Sequence, residues 1–305
     1  MSTRTTEPQR LDTPVQLQLW SDRCRAAGMA VGLVPTMGAL HAGHRSLVRR
    51  AREECDRVVV SIFVNPLQFG AGEDIDRYPR TLDADLAMLA AEGVDAVYIP
   101  SVAAMYGEAA VTTVHVGGAL TSVLEGAHRP GHFDGVATVV TKLLGAARPS
   151  RAYFGAKDAQ QCAVVARLAA DLDTGTTVVV CPVVRDHDGL ALSSRNVYLS
   201  ADERRRALAI PAGLSAAVHA WNGLERRATA LAALVRRPME AAGFAVDYVA
   251  VVEPGSFAAV DAAGPGCQVL VAGRMGNTRL IDVIRLGTDE APLGAGAAQE
   301  LTSRV

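Results

Sequence analysis

At 305 residues with 50% hydrophobic content, the chain is long enough for two domains of ordinary size and apolar enough to give each a core. Its 30 basic and 32 acidic residues leave a formal net charge of -2, which excludes the global basic field of a nucleic-acid-binding protein and favours a small anionic ligand over a polymer. Cys24, Cys55, Cys162, Cys181 and Cys267 are scattered without a CxxC pair or metal-type spacing, so reduced thiols in a cytoplasmic protein are expected. No run approaches the roughly 18 apolar residues of a membrane span and the start lacks a signal-peptide pattern, so no membrane association is expected.

The first eleven residues are polar with nothing to bury, and residues 1–12 are expected as a disordered tail. Thr13 and Pro14 read as a helix cap and first-turn proline opening a helix to about Ala27. Ala30 to Val34 is a short apolar run of the kind that makes a buried parallel strand, and Pro35, with no N–H to donate, is expected to stop its ladder. The stretch GLVPTMGALHAGH continues through glycines at 38 and 43 into a helix to about Arg52, with Leu47, Val48 and Ala51 facing inward. A helix starting at a strand's carboxyl end presents N–H groups and a positive dipole end to an anion. His41 and His44, three apart across that start, can aim ring N–H groups at the same target.

Strands are expected at Arg57–Val64, Val94–Ile99, Thr112–Val116, Arg151–Phe154 and Thr176–Cys181. Helices are expected between them at Leu82–Ala91, Gly135–Ala147 and Asp158–Leu172. This alternation predicts an α/β fold, a doubly wound parallel (Rossmann-like) sheet over residues 13–184 with ligands at the strands' carboxyl ends. Past Val183 the pattern changes. Ser200 and Glu203 are spaced as a capping box, Pro211 is expected to interrupt the helix that follows, and a second helix runs to about Ala242. Strands at Val246–Val252, Gln268–Gly273 and Thr278–Ile284 then predict a smaller C-terminal α+β domain over residues 185–286. Residues 287–305 are expected as a disordered tail.

Polar clusters fall at or just beyond predicted strand ends: His41/His44, Asn65/Gln68, Glu125 with Arg129/His132, Lys157/Asp158/Gln161, and Ser193/Ser194/Arg195. Lys157 at a helix start opposes the dipole, a placement that makes sense beside a phosphate. An arginine with two hydroxyls is a sound oxyanion clamp.

These clusters sit in motifs that resemble one family. PTMGALHAGH, SIFVNPLQF, YPR, RPGHFDGVATVVTKLL, FGAKDAQQ and DGLALSSRNVYL, in this order and spacing, are similar to the pantothenate synthetase (pantoate–β-alanine ligase) family over about Thr13 to Leu286. HAGH is similar to the HIGH signature of the wider nucleotidyltransferase superfamily. The resemblance implies a ligase that joins pantoate to β-alanine through a pantoyl adenylate, with AMP and pyrophosphate released. It implies phosphate donors and catalytic groups at His41, His44, Lys157, Ser193, Ser194 and Arg195. ATP contacts are implied at Met37, Gly43, Gly155, Asp158, Val184 and Leu192, and pantoate contacts at Gln68, Gln161, Met37, Asn65, Val139, Val140 and Phe154. It implies Mg2+ with ATP as co-substrate, with Asp85 as candidate ligand, a homodimer in the cytoplasm, and a second domain acting as a lid hinged near Val183 to Gly189. The chain departs from the family's pattern at Ala84, in the acidic run before Asp85, and at Ala156 and Ala159 beside Lys157. These departures motivate one alternative, a catalytically weakened nucleotide-binding paralogue; another HIGH-type nucleotidyltransferase is the second.

Overall fold

The computed structural model describes residues 7–108 and 110–294. Its strands are β1 (Gln9–Leu11), β2 (Val31–Thr36), β3 (Arg57–Ile62), β4 (Ala96–Tyr98), β5 (Arg151–Gly155), β6 (Thr177–Cys181), β7 (Ala245–Val252), β8 (Gln268–Met275) and β9 (Thr278–Arg285). Helices α1 (Pro14–Ala26), α2 (Ala42–Glu54), α3 (Leu82–Ala91), α4 (Val102–Tyr106), α5 (Ala119–Ser122) and α6 (Glu125–His128) come first. They are followed by α7 (His132–Ala147), α8 (Ala159–Asp171), α9 (Ala201–Arg206), α10 (Ala209–Asn222) and α11 (Ala228–Ala241). The chain divides into two compact units, the first running to Ala156 and resuming at Gln160–Pro182, the second comprising Lys157–Ala159 and the chain from Val183.

In the first unit β1 to β6 form one parallel sheet in the order β1-β4-β3-β2-β5-β6. Strand periodicity explains its two buried faces. Leu33, Val59, Ala96, Ala152 and Phe154 point into a core with Leu17 of α1, Val136 and Val140 of α7 and Val165 of α8. Their sequence neighbours Val34, Val58, Val60, Val97 and Tyr153 point into the opposite core with Leu47, Val48 and Ala51 of α2 and Leu89 of α3. At the chain start, Thr13 and Gln16 complete a capping box for α1.

Three expectations for this unit are corrected. The tail over residues 1–12 is a strand from Gln9, because Leu11, 1% exposed, is buried in the sheet core and pairs beside Tyr98; residues 1–6 lie outside the described residues. Thr112–Val116 is not a strand: only Val114 and Val116 reach the core, and the Val114 amide donates to the Thr138 hydroxyl (2.9 Å) instead of to a ladder. Pro35 does not end β2 on both sides. The Ala30 and Thr36 carbonyls accept from Asp56, Arg57 and Phe63, whereas the Val31 carbonyl accepts from Ser150. Even-numbered residues therefore turn their backbone groups to β3 and Pro35 turns to β5, where pairing already ends at Leu33.

In the second unit β7, β8 and β9 form an antiparallel sheet covered by α10 and α11, with Leu214, Leu231, Val235, Met239, Val269 and Val271 in its core. The helix expected from Ser200 breaks at Ala207–Leu208 rather than at Pro211. Pro211 lies in the first turn of α10, where an N–H has no intrahelical acceptor. The expected C-terminal tail is held as far as it is described, with Ala291 against the core and the Leu293 amide donating to Ser215 Oγ (2.8 Å); residues 295–305 lie outside the described residues. All five cysteines are free thiols, four of them buried. Among the described residues no helix is long and apolar enough to cross a membrane.

Candidate active site

The strand order reverses between β2 and β5: the chain moves outward from β2 through β3 to β4, then returns to place β5 on β2's other side. Such a switch point opens a crevice at the strands' carboxyl ends. Here β2 and β5 pair only at Gly32 and Leu33, so they part below the loops leaving Thr36 and Gly155.

The loop from Thr36 to His41 is held from beneath. Gly38 (φ +85) and Ala39 (φ +49) both take left-handed backbone, a conformation that is costly for alanine. Their geometry turns successive amides the same way, and both meet Asp85 of α3. Ala39 N–H donates to Oδ2 (2.9 Å) and Leu40 N–H to Oδ1 (2.8 Å), while the Thr81 hydroxyl donates to Oδ1 (3.1 Å). His41 then caps α2, its Nδ1 accepting from Gly43 N–H (3.1 Å), and His44 Nδ1 lies 3.4 Å from His41 N–H. The two rings are 4.1 Å apart, centre to centre. A ring whose Nδ1 accepts carries its neutral-form proton on Nε2, so Nε2–H is the donor that each ring brings to the helix start.

Beside this loop, NPLQ folds as a short turn after β3, capped by Asn65 Oδ1 accepting from Leu67 N–H (3.2 Å). Asn65, 1% exposed, donates through Nδ2 to Gln68 Oε1 (3.0 Å) and to the Gly135 carbonyl (3.0 Å), and accepts at Oδ1 from the Tyr106 hydroxyl (2.6 Å). Gly135 permits this approach, since a Cβ there would lie 2.2 Å from the Leu67 carbonyl oxygen. Gln68 Nε2 donates to Met37 Sδ (3.2 Å), joining the two loops. Arg129 grips Glu73 with two bonds of 2.7 Å and donates to the Gln68 carbonyl (3.2 Å). His132 Nδ1 lies 2.9 Å from the same carbonyl and its Nε2 lies 3.0 Å from Arg129. Burial, then the Arg129 guanidinium, pushes the His132 pKa down to about 4, so the ring is neutral, donating from Nδ1 and accepting at Nε2. Burial, the largest single influence, raises the Glu73 pKa, but the hydrogen bonds and the charge of Arg129, with smaller contributions from neighbouring groups, together hold the carboxyl below its ordinary value.

In the second unit Val184 to Leu192 is a tight hairpin: Leu192 N–H donates to the Val184 carbonyl (3.0 Å) and Arg185 bridges Ala191. Arg185 anchors it by a bidentate pair with Asp282 of β9 (2.6 and 3.0 Å). Ser193 then caps the 3-10 turn Ser194–Tyr198 by accepting from Arg195 N–H (3.3 Å). Lys157 Nζ is 3.6 Å from the Asp158 carboxylate in the segment that groups with this unit.

The structure thus brings Met37, Asn65 and Gln68 together, His41 with His44, and Val184 with Leu192. Val139, Val140 and Phe154, expected to line a pantoate site, are 7%, 4% and 4% exposed and lie in one core cluster. Gln161 stands half-buried on the first turn of α8, and its neighbour Gln160 is the one tied to Leu120, Val123 and Glu125. Asp85, expected as a metal ligand, is 2% exposed and its oxygens accept from the Ala39 and Leu40 amides. Tyr106 and Glu73 were not singled out from sequence, since their partners lie 41 and 56 residues away. A cavity of about 390 Å³ lined by Val114, Val116, Leu168 and Leu172 holds none of these residues.

These features define a doubly wound α/β enzyme with an anion-ready loop at its switch point. The chain belongs to the pantoate–β-alanine ligase family, whose model matches residues 9–285. It is 52% identical over 264 residues to the pantothenate synthetase of Acidobacterium capsulatum, covering 86% of this chain and 88% of that one. It is 51% identical over 285 residues to the bifunctional pantoate ligase/cytidylate kinase of Gloeobacter violaceus, covering 90% of this chain but spanning only 55% of that longer protein. The crystal structure of pantothenate synthetase from Thermus thermophilus superposes with a TM-score of 0.85 at 45% identity, covering 90% of this chain and 98% of that one. That of the Francisella tularensis ligase, complexed with beta-gamma ATP and β-alanine, gives 0.77 at 31% identity, covering 94% and 100%.

Proposed function

We propose that this ligase condenses pantoate with β-alanine through a pantoyl adenylate, consuming ATP and releasing pyrophosphate and AMP. The observation that carries the reading is the joined pair of loops at the β2 end. The His41 and His44 donors sit on one loop, the Asn65–Gln68 amides on the other, and a Gln68–Met37 hydrogen bond connects them. The pantoate carboxylate is itself the nucleophile, so the protein needs no covalent one. Neutral amides suit it, because they orient a carboxylate and hydroxyl without quenching the nucleophile's charge. As the carboxylate attacks the α-phosphorus, charge grows on the phosphoryl oxygens, and catalysis consists of positioning and preplaced donors. His41, His44 and the α2 start supply such donors in the first unit; Lys157, Ser193, Ser194 and Arg195 are those carried by the second. The adenylate is then attacked by the neutral β-alanine amine, and AMP leaves.

Mg2+ enters as part of the ATP substrate. Among the described residues no group of three His, Cys, Asp or Glu side chains could hold a metal, and the Asp85 oxygens accept from two backbone amides. Phosphates and water can complete its shell. A homodimer in the cytoplasm belongs to the same proposal, and light scattering checks the assembly.

The test is product release with each substrate omitted. Pyrophosphate is expected with ATP and pantoate alone, and AMP only once β-alanine is added. Pyrophosphate absent without β-alanine would overturn the adenylate, and no turnover with all substrates would leave a nucleotide-binding paralogue.

A further inference from the structure

We infer that Asp85 is a positioning residue whose buried carboxylate fills the backbone nest at Ala39–Leu40, and so aims His41 and His44, rather than ligating a metal. Two successive left-handed residues, Gly38 and Ala39, turn neighbouring amides toward one point, the geometry that elsewhere cradles a phosphate. Here the anion in the cradle is internal: one carboxylate oxygen for each amide, at 2.9 and 2.8 Å. The cradle therefore holds no substrate phosphate, and the loop meets its ligand through side chains and the start of α2.

Three further observations fit the clamp. Asp85 lies in the first turn of α3, where the dipole favours a carboxylate, and its amide bonds back to the Thr81 carbonyl (2.9 Å). The Thr81 hydroxyl fixes its rotamer from the other side (3.1 Å). Gly38 is needed beneath it, since a Cβ there would stand 3.1 Å from Oδ2. A hydrated Mg2+, which demands oxygens at about 2.0–2.1 Å and retains several waters, has no approach to a side chain that is 2% exposed. Ala39 holds a left-handed conformation that is strained for a residue with a Cβ, and charge-assisted bonds to Asp85 offset that strain.

The activity arm of the test rests on the ligase reading; the exchange arm does not. Amide hydrogen exchange is measured on the full chain without nucleotide or metal. Ala39 and Leu40 should be protected about 10²-fold or more in the wild type, and lose about tenfold in Asp85→Asn while the β2 amides stay unchanged. In pantoate-dependent pyrophosphate release, Asp85→Asn should lower kcat by about 10²-fold, with the pantoate KM within about threefold because Gln68 sits on its own loop. The midpoint of a MgCl2 titration should not move, and Asp85→Glu, which keeps a carboxylate but displaces it, should not restore kcat. Rapid exchange of Ala39 and Leu40 in the wild type overturns the clamp. So does a tenfold shift of the MgCl2 midpoint in Asp85→Asn with activity restored at high Mg2+. A wild type that releases no pyrophosphate defeats the ligase reading while the exchange arm still decides the clamp, and the wild-type measurement in that arm needs no variant to fold.

Discussion

The loop from Thr36 to His44 and the hairpin from Val184 to Leu192 are each fastened by one buried aspartate, but by opposite electrostatic means. Asp85 is neutralised by dipoles: two backbone amides and a hydroxyl, none carrying a formal charge. Asp282, 2% exposed in the middle of β9, is neutralised by the Arg185 guanidinium, with one amide, from Val283, besides (2.7 Å). A carboxylate held by several neutral donors can lose one and keep the rest. A carboxylate held by one cation cannot, because the desolvation of a buried unpaired charge exceeds the worth of the remaining hydrogen bond. The first fastening should therefore fail gradually and the second all at once.

The largest effect is expected where the charge is stranded. Arg185→Met leaves Asp282 buried with only the Val283 amide, and should destabilise the second unit by about 3–5 kcal/mol. The two tryptophans separate the readouts, since Trp20 lies in the first unit and Trp221 in the second. In a Trp20→Phe background, the Trp221 fluorescence transition in urea should move to much lower denaturant. A change below about 1 kcal/mol would show that Asp282 rehydrates without its partner, and the contrast between the loops would be lost.

A group that fastens by staying uncharged sharpens the contrast further. His132, 8% exposed, orders the Gln68 carbonyl as a neutral ring, facing Arg129, Glu125 and Glu73. Its folded pKa of about 4 lies below the ordinary 6.5, so above pH 6.5 it contributes no pH dependence. As pH falls through 6.5 the unfolded chain takes up a proton that the native ring refuses until about pH 4. Stability should drop by roughly 2 kcal/mol between pH 7 and pH 5 from this group. Glu73, whose pKa is lowered, loses its contribution only further into acid, below the ordinary carboxylate value. Urea midpoints of the wild type and His132→Gln at both pH values check this; an equal drop in both would assign the slope elsewhere.

How far these features were legible depends on how local their causes are. The alternation of Leu33 and Val34 with Val58 and Val59, the cap at Thr13 and the paired histidines of the glycine turn are encoded within a few neighbouring residues, and the sheet and its loop follow from them. Pro35 was half legible: its missing N–H is written in the sequence, but the side of the strand it faces depends on register with β3. Gln9–Leu11 was not legible, because one leucine makes no periodicity and its burial depends on β4. For Asp85 the family resemblance suggested metal, while its hydrogen-bond partners are two amides 45 and 46 residues away in sequence. Arg185 and Asp282, 97 residues apart, belong to no motif at all.

The smallest effect tests the gradual failure itself. Thr81→Ala removes the hydroxyl on Asp85 Oδ1 and leaves both backbone amides in place. The carboxylate stays satisfied, so the loss is that of one ordinary hydrogen bond, about 1 kcal/mol, and not the larger cost of a stranded charge. Pyrophosphate release should fall by no more than about tenfold, since each 1.4 kcal/mol of lost positioning is a factor of ten in rate. If Thr81→Ala were as damaging as Arg185→Met, the amides alone would not be holding Asp85. The fastening of the histidine loop would then depend on a single partner, as that of the hairpin does.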